Sequence, residues 1–208
     1  MTVTDAYSSD VAFTPAVKAV QTRKGSRRGY AHMEEGGGWR TEINESLATF
    51  IGQQNSFFLA TATVDGQPYI QHRGGPAGFI KILDKTTLAF ADFTGNRQYI
   101  TQGNLAENPK AYIFLIDYVN RRRVKIWGEA RVVEDDPALT ASLMPKDYKA
   151  KPEQAIIFKI TAWDTNCPQH IPLKFDAADV GAAIAERDMR IAELEKELAE
   201  LKQRLSPH

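Results

Sequence analysis

The sequence has one cysteine, no net charge and no long apolar run, and each of these shortages excludes something. Cys167 stands alone among 208 residues, so neither an intramolecular disulfide nor a cysteine-built zinc site can form. The 26 Lys and Arg balance 26 Asp and Glu, without the basic excess that nucleic-acid or membrane-surface binding requires. No apolar stretch approaches the roughly 20 residues of a membrane-spanning helix. The opening residues, MTVTDAYSSDVAFTP, lack the basic and apolar regions of a secretory leader, so a cytoplasmic location is expected. Several chemistries are missing too. There is no G-x-S-x-G elbow, no H-E-x-x-H and no Walker loop. The four histidines, His32, His72, His170 and His208, are too scattered for a metal site, and none is expected. Cys167 and His170 lie three apart in a loop, a spacing that fits a packed thiol and a hydrogen-bonded imidazole better than a reactive pair.

What is present divides into three textures. Residues 1–40 are polar and Gly-rich, dotted with Arg23, Lys24, Arg27 and Arg28, and carry too few periodic apolar positions for a core of their own. Residues 41–175 are dense in β-branched and aromatic side chains. Residues 176–208 turn to Ala, Glu, Lys, Leu and Arg. In the middle zone a helix is expected from Glu42 to Gln53. Strands follow over Ser56–Val64 and Gln67–His72, joined at Asp65-Gly66, and over Gly78–Leu83 and Thr86–Asp92. A helix of about three turns should begin after Gly95-Asn96 and stop at Asn108-Pro109. Further strands are expected over Ala111–Val119, Arg123–Val133 and Ala155–Trp163, with a short helix after Asp136-Pro137. The pattern is mainly β (α+β): a six- to seven-stranded antiparallel barrel, closed or nearly so, with short helices. The run Tyr112-Ile-Phe-Leu-Ile116 is apolar throughout, as for a strand covered on both faces, by a helix or by a partner subunit.

The tail carries a heptad. Ile184, Ile191, Leu198 and Leu205 share one core position, and Val180, Leu194 and Leu201 the other, with Arg187 interrupting. A parallel coiled coil and a single amphipathic helix on its own domain both fit.

Three elements could hold an anion. Thr94-Gly-Asn-Arg97 lies between a strand and the start of a helix, where free N–H groups and Arg97 suit phosphate, although a capped helix with a solvated arginine would read the same. Gln71-His-Arg-Gly-Gly-Pro76 leaves a hairpin strand with two glycines that interrupt pairing. Arg121-Arg122-Arg123 opens the strand leading to Trp127 and Gly128, and a solvated hairpin tip explains it equally well.

The order of these elements, and the stretches LATATVDGQPYIQHRGG, LAFADFTGNRQYITQGNLAENPKAYIFLIDY, NRRRVKIWGEARVVEDDP and WDTNCPQHI, resemble the pyridoxamine 5'-phosphate oxidase-like family of FMN-binding split barrels. The resemblance covers nearly everything before the tail. It implies a split barrel that binds FMN at a homodimer interface and acts as an oxidoreductase on a small molecule not specified by the sequence. By position, it implies that Gln71, His72, Arg73, Gly74 and Gly75 line the flavin, with Ala91 and Asp92 at the next strand end. The family's Ser-Arg-Lys phosphate clamp becomes Asn96-Arg97-Gln98, so a further cation, Arg73 or Arg27, must replace the lysine. Arg123 stands where a glutamine reaches the cofactor across the dimer. Pro76 replaces a lysine of the true oxidase. Its phosphate-gripping Tyr, Arg and Ser have no counterpart in Ala138 to Lys146, and its C-terminal Arg-x-His is missing. The resemblance therefore carries the FMN site but not the pyridoxamine-phosphate site. A non-catalytic flavin or haem sensor, or a deazaflavin-dependent reductase, is the alternative.

Overall fold

The computed structural model describes residues 7–165 and 168–205. They form two compact units, one holding the residues up to Asp117 with Arg122–Pro168, the other holding Tyr118–Arg121 and the segment from Gln169 onward. In the first unit, seven antiparallel strands make one sheet in the order β2-β1-β5-β6-β7-β4-β3. They are β1 (Ser56–Ala62), β2 (Pro68–Gly74), β3 (Lys81–Asp84), β4 (Thr87–Phe93), β5 (Lys110–Asp117), β6 (Arg122–Val133) and β7 (Pro152–Thr165).

Alternation decides the inner face. Phe57 and Leu59 on β1, Ile113 and Leu115 on β5, Val124 and Ile126 on β6, and Leu88 and Phe90 on β4 are buried in one cluster with Phe158 and Ile156 of β7. Each such side chain contributes roughly 1.5–3 kcal/mol by leaving water. Helix α3 (Glu45–Gln53) closes one end with Leu47, Phe50 and Ile51. Asn44 caps it, accepting from the Leu47 amide at 2.9 Å. The sheet curls until β1 and β4, far apart in strand order, touch through Phe57 and Phe90, whose ring centroids are 5.0 Å apart. This is a split barrel: along the β2–β4 seam the contacts are between side chains.

Local chemistry explains several boundaries. The β1–β2 turn is a residue longer than the expected Asp65-Gly66 pair. The Gly66 amide donates to the Thr63 carbonyl at 3.0 Å and the Thr63 amide to that of Gln67 at 3.1 Å, with Gly66 at φ 94°. That is the three-residue loop with a left-handed glycine bulge. Strand β5 is buried on alternate residues only. Ala111, Ile113 and Leu115 face inward, while Tyr112, Phe114 and Ile116 stay half-buried, so within one chain the expected double cover is missing. Strand β4 has it instead, because α5 (Pro137–Leu143) lays Leu143 over Ala89 and Ala91. Gly128 sits at a bulge in β6 against β7, where an added Cβ would lie 2.1 Å from the Lys159 carbonyl oxygen.

Residues 7–40, expected to lack an apolar core, fold around a buried charge. A 3-10 turn (Ser8–Val11) precedes α1 (Pro15–Lys24) and α2 (Arg27–Glu35). The Glu34 side chain is only 1% exposed. It pairs with Arg27, accepts from Ser9 Oγ at 3.2 Å and lies 3.4 Å from Lys18 Nζ, which also reaches Asp10 at 2.6 Å. Burial pushes the Glu34 carboxyl up, but the bonds from Arg27, Ser9 and Lys18 outweigh it and hold its pKa below the ordinary 4.5. Trp39 then stacks on Trp127 of β6 at 4.5 Å and 16°, and Lys125 Nζ lies over both rings.

In the second unit, α6 (Ala177–Leu205) is a 29-residue helix with no buried residue.

Gly128→Ala should destabilise the fold by more than about 3 kcal/mol, measured by the denaturant midpoint, because the obstacle is backbone and cannot move aside. Since the folded Glu34 pKa lies below its unfolded value, its contribution is complete above pH 4.5 and is lost as pH falls from there through the folded pKa. Thermal melts across that window should show the loss in the native chain and a smaller one in E34Q.

Candidate functional site

Where the inward face of the barrel reaches the seam, its character changes. Along β4 the inward column Leu88, Phe90 continues to Asp92, and along β7 the column Phe158, Ile156 continues to Gln154, which pairs with Asp92. Across the seam, β2 presents Tyr69, Gln71 and Arg73 from one face, each half-buried. Arg73 donates to Asp92, and Gln154 Nε2 donates to the other Asp92 oxygen at 2.9 Å. The two side chains of this ion pair are 15% and 10% exposed, so little water competes with it. Arg73 Nε is buried and has no hydrogen-bond partner among the described residues, which leaves one donor unmatched.

Two adjoining clefts open here. The wider one, about 180 Å³, is lined by Gln71, His72, Arg73 and Gly74 on one side and by Phe90, Ala91 and Asp92 on the other. The narrower, about 50 Å³, shares Gln71, Arg73 and Asp92 and adds Asn96, Arg97 and Gln98. Ten of the eleven residues marked in the sequence therefore come to this seam or its border. Gly75 is at the border: it lines neither cleft, and its missing side chain leaves room for Phe79, which a Cβ would approach within 2.8 Å. His72 is exposed, its ring edge-on to Phe58 at 5.7 Å.

Arg123 is the exception. It lies on β6 opposite Ile116 and lines neither cleft. Its charge acts on Tyr112, whose phenol burial pushes up to about 12; Asp164 adds to that rise and Arg123 opposes it.

The loop before α4 (Ile100–Glu107) departs from expectation. The helix begins at Ile100, not just after Asn96, and its N-cap is Tyr99 at φ 54° with no side-chain cap. Asn96 instead folds back on Gln98, accepting from its amide at 3.2 Å and donating to its side chain at 3.3 Å. Arg97, at φ 60°, donates through Nε to Tyr99 Oη at 3.1 Å, and that hydroxyl donates to Glu153 at 2.7 Å. Thr101 in the first turn donates to Gln71 at 3.1 Å. Tyr69, Tyr99, Thr101, Glu153 and Gln154 were not marked in the sequence. Glu153 and Gln154 arrive by the β4–β7 register, which no local signal encodes. The inward alternation on β2 could have found Tyr69.

Cys167, expected as a packed thiol near His170, lies outside the described residues; His170 itself is exposed, at φ 62°. Among the described residues no cluster of three or more His, Cys, Asp or Glu could hold a metal ion, and no helix is long and apolar enough to cross a membrane.

The first unit is thus an antiparallel split barrel with a polar, arginine-bearing cleft at its seam and a helix N-terminus beside it. The chain belongs to the pyridoxamine 5'-phosphate oxidase family, whose model matches residues 43–167, more than half of its length. Among solved structures it is similar to HupZ of Group A Streptococcus, at 17% identity and TM-score 0.49 over 64% of this chain and 99% of that one. It is also similar to a pyridoxamine 5'-phosphate oxidase homologue of Lactobacillus delbrueckii, at 20% identity and TM-score 0.47 over 60% and 95%. An FMN-binding protein from Syntrophomonas wolfei aligns at 12% identity and TM-score 0.46 over 73% and 97%. No curated protein matches the sequence.

Asp92→Ala should cost roughly 2–3 kcal/mol, because it strands the Arg73 charge and the Gln154 amide together. In denaturant titrations, adding Arg73→Met should recover part of that loss. Additive losses would show that the pair is not coupled.

Proposed function

We propose that this protein is an FMN-binding flavoprotein, a homodimer that acts as an oxidoreductase on a small molecule other than pyridoxamine phosphate. The observation that carries the reading is Arg73, which lines both clefts and whose buried Nε has no acceptor among the described residues. A ligand bearing an anionic end and a flat polar ring would satisfy it. The residues present fit that group. Arg97 and the amides of the first turn of α4 would take the phosphate, and Arg73 supplies the second cation that Gln98, in the family's lysine position, cannot. Gln71, His72, Gly74 and Ala91 would border the ring. Bound FMN supplies two-electron chemistry that the side chains lack.

The protein's part is electrostatic and steric. Arg73, oriented by its ion pair with Asp92, would offer its unmatched Nε–H to a bound ring, a donor that favours negative charge developing there.

The two seam clefts, about 180 and 50 Å³, are together smaller than the roughly 300–1,000 Å³ of a ligand pocket. The half-buried face of Tyr112, Phe114 and Ile116, flanked by Ile70 at 60% exposure, is apolar enough to meet a second copy. Such a partner would enclose the cofactor, with Arg123 as the residue reaching across.

The purified protein, stripped of any chromophore, should take up one FMN per chain, followed by quenching of flavin fluorescence. Arg97→Ala should weaken that binding roughly 10- to 100-fold, the worth of one or two charge-assisted hydrogen bonds. Refusal of FMN together with uptake of haem or a deazaflavin would replace the reading. Uptake of FMN without reduction by NADH or NADPH would favour a carrier or sensor over an enzyme.

A further inference from the structure

Helix α6 carries an apolar face that no element of its own unit covers. Every residue from Phe175 to Leu205 is exposed, and the aliphatic side chains form one stripe. Ile184, Ile191, Leu198 and Leu205 are each at least half exposed; Val180, Leu194 and Leu201 are 43%, 47% and 51% exposed. A helix of 29 residues spans about 43 Å. Helices depend mainly on burying an apolar face, so this stripe calls for an occupant. We propose that the occupant is α6 of a second copy of this chain, in a parallel, in-register, two-stranded coiled coil.

Two observations select a second copy and set its direction. The stripe repeats every seven residues, with Ile at two of the first core positions and Leu at two of the second, the pairing that favours two parallel strands. The flanking charges are complementary to themselves at the offset that parallel pairing requires. Arg190 lies five residues before Glu195, and Glu197 five before Lys202, so each helix offers its partner two opposite-charge pairs. The antiparallel arrangement with full overlap aligns Ile184 with Leu201 and Ile191 with Leu194. It pairs Arg190 with Glu197, but it also sets Asp188 against Glu195 at both ends and packs Arg187 against Leu198, whereas the parallel register brings no like charges together at the flanking positions. In the parallel register Arg187 faces its own copy beside Asp188, a polar layer that fixes register at some cost in stability.

The test uses the full chain with Cys167→Ser, so that an introduced cysteine is the only thiol. In the parallel coil Leu201→Cys brings two thiols face to face, and mild oxidation should move most of the chain to twice its mass on a non-reducing gel. Lys196→Cys, on the outer face of the same helix, should stay monomeric on that gel whether or not the barrels themselves associate. Adding Glu197→Lys to Leu201→Cys should lower the yield by placing like charges across the seam, and adding Lys202→Glu as well should restore it. Equal cross-linking at 201 and 196, cross-linking at neither, or no rescue by the double reversal would overturn the parallel coil. FMN uptake should be unchanged in Leu201→Cys, which separates this inference from the reading of the cleft.

Discussion

The structure depends on how a sheet with two free edges closes upon itself. Strand β2 lies at one end of the strand order and β4 next to the other, and the two are not hydrogen-bonded to each other, so the polar end of their meeting is made by Arg73, Asp92 and Gln154. A buried ion pair needs all its remaining hydrogen-bonding groups satisfied to be stable. Here Asp92 is satisfied on both oxygens, while Arg73 keeps one N–H unmatched. The groups that close the barrel are thus also the groups that line the clefts at its seam.

Charge replaces apolar packing again in residues 7–40. These residues are too polar for a core, and α1 and α2 are gathered around Glu34, with Lys18 and Arg27 supplying the compensating charge. Their attachment to the barrel is aromatic, through Phe13, Trp39 and Trp127. The extension therefore has an acid-sensitive interior and an anchor on β6 that does not titrate.

Much of this was legible in the sequence. The strand runs around Phe57-Leu59 and Ile113-Leu115, Pro137 at a helix start, and the Asn108-Pro109 stop each reflect interactions over a few residues, whereas the one-sided burial of β5 was hidden by its continuous apolar run. The Asp-Gly turn was visible, but its length was not, because the added residue is fixed by the pairing of Thr63 with Gln67. The start of α4 was misplaced for a similar reason. Asn96 has the chemistry of a cap, yet it is engaged with Gln98, and left-handed Arg97 and Tyr99 delay the helix to Ile100.

The sequence by itself determined where strands and chain reversals fall and which residues could meet an anion, since strand propensity and turn chemistry are local. Only the tertiary structure decided that Asp92 would meet Arg73, that Glu153 and Gln154 would complete the cleft, and that Glu34 would be buried. Those meetings depend on strand order and register, set by the packing of the whole barrel and written in no single stretch of chain.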